Sequence, residues 1–97
     1  MGIENLVKLF PEELVVDALE RELLLKKSRY EETARRMREK YGMEFKRAER
    51  ELLKAENYSW EVERDLIEWE HAEEGIKSCT ELLEEIKKWK SSPVSDR

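Results

Sequence analysis

The stretch RDLIEWEH, residues 64 to 71, holds the only histidine of the chain, and three of its side chains are of types that do chemistry. His71 can give or take a proton near neutral pH. Arg64, seven residues earlier, can stabilise charge on a phosphate, so the two together have parts that chemistry at a phosphate uses, a general acid or base and a guanidinium. Glu68, three residues before His71, completes Glu-x-x-His, the spacing by which helical bundles aim two metal ligands from one face. Each spacing is easily met by chance. The chain has nine arginines, and its 24 Asp and Glu place a carboxylate near almost any residue. A metal site also needs carboxylates from facing helices, and nominating Glu31 and Glu32 for that role rests on glutamate frequency alone. The plainest reading makes RDLIEWEH an ordinary turn of packed helix, with no catalytic residue, metal or cofactor assigned.

Other candidate groups give the same balance. Trp69 has helical core spacing, which is packing, whereas Trp60 and Trp89 are better placed as anchors for a partner. Cys79 on an apolar seam reads as a small hydrophobe rather than a nucleophile. One cysteine excludes an internal disulfide and fits a reducing cytoplasm. A net charge of −5 sets the overall field against nucleic acid. The basic run RRMREK at 35–40 is broken by Met37 and flanked by acids, as on a solvated helix face. The start MGIENLVKLF lacks the pattern of a secretion signal, and no apolar run is long enough to span a membrane.

The elements that position these groups are helices. Charged residues make up 44% of 97, with three glycines and two prolines, the composition of long helices in one small domain. Pro11 suits a first turn, and Glu12 and Glu13 suit the positive end of the dipole. The spacing predicts a helix from Pro11 to Tyr41, ended by Gly42 with Arg38 and Lys40 in the last turn. A short amphipathic helix follows over 44–56, carried by Phe45, Ala48, Leu52 and Ala55. Asn57 and Ser59 then turn and cap a second long helix from Ser59 to Trp89. Its seam runs through Val62, Trp69, Ile76 and Leu83, with Ala72, Cys79 and Ile86 three residues after the last three of these. The first helix answers with Val16, Leu19, Leu23, Tyr30, Ala34, Met37 and Tyr41. The expected fold is all-α, an antiparallel hairpin of two long helices with a short middle helix, completing a bundle by dimerisation. It forms one domain over 1–90, with a disordered tail over 91–97.

Eight of the twelve residues from Leu14 to Leu25 are apolar, against four of the sixteen from Lys26 to Tyr41. Leu14, Val15, Ala18, Leu24 and Leu25 fall outside the seam, and a helix apolar nearly all round must be covered on more than one side. The expected interface therefore comprises these five residues, Trp60 and Trp89, and the small residues Ala72 and Gly75, where another backbone would approach closely.

Two resemblances bear on function. The Arg64 to His71 spacing, with Asp65 after the arginine, resembles the small helical ribonucleases of the HEPN superfamily, which would place both residues near a dimer cleft. Three longer stretches, ELVVDALERELL at 13–24, YEETARRMREKYGMEF at 30–45 and ERDLIEWEHAEEGIK at 63–77, resemble small antitoxin-like proteins of archaea and cyanobacteria, often encoded beside a toxin-like neighbour. This second resemblance covers about residues 11 to 88. The connection ERELLKAENYSWEVER departs from it, replacing a stretch richer in Gly and Asp. It implies an antitoxin-like protein without catalytic residues; joined to the acidic charge and the surplus apolar face, the expectation is a non-enzymatic interaction module assembling with itself and with a small basic protein. The alternatives are the ribonuclease or a purely structural self-associating bundle.

Overall fold

The structure is a computed structural model that describes residues 11–56 and 58–91. Expectations about the first ten residues, Asn57 and residues 92–97 lie outside the described residues, while Ser91, assigned to the tail, is helical. The described residues form three helices in order, α1 (Glu12–Tyr41), α2 (Phe45–Lys54) and α3 (Trp60–Ser91). The long α1 and α3 pack antiparallel as the expected hairpin, and α2 packs against α3.

Each boundary has a local cause. Pro11, in extended backbone, accepts the N–H groups of Leu14 and Val15 at 3.0 and 3.2 Å. Gly42 ends α1 in the left-handed conformation, φ 66°, and its N–H reaches the Arg38 carbonyl at 2.7 Å. Only glycine adopts that conformation at little cost, so the chain reverses here. Ser59 caps α3, its Oγ accepting the Val62 N–H at 3.3 Å. The middle helix is shorter than its pattern suggested. It ends at Lys54, and Ala55 stands exposed in extended backbone rather than continuing the apolar face.

Apolar burial divides the hairpin into two ends. At one end Ala34, Met37, Phe45, Ala48, Leu66, Trp69 and Ala72 form a core drawn from all three helices. Trp69 is enclosed completely, stacked on Tyr41 at 6.0 Å and met edge-on by Phe45 at 5.4 Å. At the other end α1 and α3 are the only described elements to meet, burying Leu23, Cys79 and Ile86 with Val16 and Leu83 at the margins. Leu19, expected in this seam, is exposed. Its position lies to one side of the line through Val16 and Leu23, and no third helix among the described residues reaches over to cover it.

Candidate interaction surface

Asp65 is the one buried charged residue among those described, 5% exposed. It follows Val62 by three residues and so occupies the seam position that Ala72, Cys79 and Ile86 occupy farther along α3. Two groups from the last turn of α1 meet it there. Tyr41 Oη donates to Asp65 Oδ2 at 2.6 Å, and Lys40 Nζ donates to the same oxygen at 2.6 Å and to Glu61 Oε1 at 3.0 Å. Burial pushes the Asp65 carboxyl up, but the Lys40 ammonium and the Tyr41 hydroxyl outweigh it and hold the group below its ordinary value. Burial and then the Asp65 bond push the Tyr41 phenol up to about 12. Lys40 is held well above the usual lysine value by Asp65 and Glu61. Both donors converge on one carboxylate oxygen, Asp65 Oδ2, so the cluster ties the end of α1 to the start of α3.

The histidine stands elsewhere. His71 is exposed on α3, its ring edge-on to Tyr30 with centroids 5.5 Å apart. Arg64 is exposed on the same side of α3 but two turns away, about 10 Å along the axis, so one chain does not bring the two together. Glu68 faces Arg36 at 3.7 Å, and Glu32 is paired with Arg35 on the surface of α1. Among the described residues no three His, Cys, Asp or Glu side chains are grouped as a metal ion requires. No described helix is long and apolar enough to cross a membrane.

No family model matches this chain, and neither curated proteins nor solved structures gave a match. The functional reading therefore rests on the surface itself.

The residues expected at an interface divide into two groups. Leu14, Leu24 and Leu25 are 55%, 53% and 48% exposed, with Ala18 exposed beside them and Val15 half-buried. At 3.6 residues per turn, Leu14, Ala18 and Leu25 share the side of α1 opposite Leu23, which α3 of the same chain cannot reach. Ala18, Arg21, Glu22, Leu24, Leu25 and Ser28 line a shallow depression there. Trp60 is exposed and Trp89 half-buried. Ala72 and Gly75 pack within the chain itself, the first buried and the second half-buried. Ala72 is part of the three-helix core. Gly75 lies beneath Tyr30, where a Cβ would overlap the ring. The close approach that a helical glycine suggested is thus made by a side chain of α1 rather than by a partner's backbone.

Three residues went unremarked as surface or core features in the sequence. The position of Asp65, three after Val62, was a usable signal for burial. Ile67 and Leu82 are both strongly exposed apolar residues of α3, and their signal was that neither falls on the seam.

Proposed function

We propose that this chain is a non-enzymatic protein–protein interaction module, antitoxin-like in the sense that it occludes a partner by helix packing. The carrying observation is that α1 is apolar on two opposite sides at the two-helix end, and among the described residues α3 covers one of them while the leucines of the other stand exposed. Fully burying a leucine gains about 1.5–3 kcal/mol, so a partner that covers Leu14, Leu24 and Leu25 gains a useful driving force. The partner's chemistry follows from the surroundings. Glu12, Glu13, Asp17 and Glu22 stand exposed beside the leucines, and the chain carries a net charge of −5. A small basic protein with an apolar helix face is complementary to both features.

The test is coexpression with the product of the neighbouring gene, followed by size-exclusion chromatography. A stoichiometric complex is expected, lost on Leu14→Gln with Leu25→Gln while helix content stays constant. A complex indifferent to those substitutions defeats the assignment of this face. Metal-free cleavage of RNA by the purified chain, abolished by His71→Ala, replaces the module with a ribonuclease.

A further inference from the structure

α3 carries a second uncovered face that the seam and the proposed partner surface do not use. Trp60, Ile67 and Leu82 are its most exposed large apolar residues, at 71%, 62% and 51%. Trp89 lies on the same line, and between these residues stand Arg64, His71, Ser78 and Glu85, all exposed. At 3.6 residues per turn the eight fall within an arc of about 60°. They form a straight stripe along nearly the whole helix, turned away from the buried row of Trp69, Ala72 and Cys79.

The order of residues along this stripe reads the same way from either end. Trp60 and Trp89 are equidistant from the peptide bond joining Glu74 to Gly75, and so are Ile67 and Leu82. Arg64 and Glu85 are also equidistant from it, as are His71 and Ser78. An antiparallel pair of identical helices related by a two-fold axis at that bond sets each residue level with its counterpart. Ile67 of one copy then meets Leu82 of the other, and Arg64 of one meets Glu85 of the other, each contact occurring twice. A two-fold interface requires such self-complementarity.

We infer that a second copy of this chain docks antiparallel on the outer stripe of α3, with the axis beside Glu74 and Gly75 and with Arg64–Glu85 ion pairs fixing the register. The groove lined by Leu23, Tyr30, Gly75, Cys79 and Leu82 opens beside the stripe and receives Ile67 of the other copy. Lys90 bridges to Asp17 and Glu20, so the Trp89 end of α3 lies beside the start of α1. Trp60 of the other copy arrives there. Glu74 flanks the axis and meets its own symmetry mate, a repulsion that weakens the pair. This contact is separate from the leucine face of α1 and leaves that face free for a different protein.

The charges give a direct test by sedimentation equilibrium of the full chain. Arg64→Glu alone and Glu85→Arg alone each place like charges opposite one another twice, and each is expected to weaken self-association about tenfold or more. Mixing the two variants is expected to restore dimers of one copy of each, because every facing pair is then opposite in sign. Ile67→Arg abolishes the dimer, and Glu74→Gln tightens it. All four positions are exposed, so circular dichroism should show unchanged helix content. A wild-type chain that sediments only at 11.7 kDa overturns the inference. So does a dimer that both single swaps leave intact, or one lost instead on Leu14→Gln with Leu25→Gln, which places the self-contact on α1. Failure of the neighbouring gene product to bind leaves the dimer test unaffected, so the two proposals fail separately.

Discussion

The two ends of this hairpin are built from the same two helices and, among the described residues, differ by one short element. Where α2 is present, aromatic rings and small residues close around Trp69 on every side. Where it is absent, α1 and α3 bury a single row of side chains, and leucines remain on the outer side of α1. A ten-residue helix is thus enough to turn a helix pair into an enclosed core. Folding stability concentrates at one end of the molecule, and apolar surface available to another chain concentrates at the other.

The largest test of that contrast compares core truncations. Trp69→Ala is expected to cost about 3–5 kcal/mol, enough to unfold much of a domain this small, while Leu23→Ala at the thin end costs about 2 kcal/mol because its margin can collapse. Urea denaturation measures both, and equal losses would erase the distinction between the ends. Next in size is Tyr41→Phe, which strips one hydrogen bond from a buried carboxylate and is expected to cost about 1.5–3 kcal/mol at neutral pH.

The same cluster gives the three-helix end a pH signature. Because Asp65 is held below its ordinary value when folded, its contribution is present above about pH 4 and fades as pH falls through the folded value. The stability difference between wild type and Asp65→Asn should therefore shrink in acid. Tyr41, raised to about 12, acts in the opposite direction. Its contribution is complete below about pH 10 and is lost as pH climbs through the folded value.

The smallest effect concerns Gly75. On an open helix Gly→Ala gains about 1 kcal/mol, but here the added methyl group displaces Tyr30. Gly75→Ala is expected to destabilise the wild type by about 1 kcal/mol and to stabilise a Tyr30→Ala background. Stabilisation in both backgrounds would show that the ring gives way freely.

Much of the fold was legible because its signals are local. Pro11, Gly42 and Ser59 mark helix ends through backbone chemistry that needs no tertiary partner, and Trp69 announced itself by recurring with Val62 and Ile76. What escaped depends on which neighbours arrive. Leu19 has the spacing of a seam residue, but no third helix among the described residues covers it. Asp65 has a type that argues for solvent, and only Tyr41 and Lys40, more than twenty residues away, make its burial tolerable. Gly75 suggested close approach correctly but not by what, since a pattern along one helix does not name the side chain that will lie on it. The leucines of α1 were visible from composition alone, because an excess of apolar residues on one helix is countable before any packing is known.

The tie between Asp65, Lys40 and Tyr41 sits beside the turn, at the closed end of the hairpin. Sliding α1 along α3 by one turn, about 5.4 Å, would strand that carboxylate among apolar side chains without a donor, so the rods cannot ratchet past each other. At the far tips the tie is of another kind, Lys90 reaching across to Asp17 and Glu20 from the surface, where solvent weakens an ion pair. The hairpin is thus pinned in register by a buried charge at one end and held at the other by a single row of side chains and exposed ion pairs.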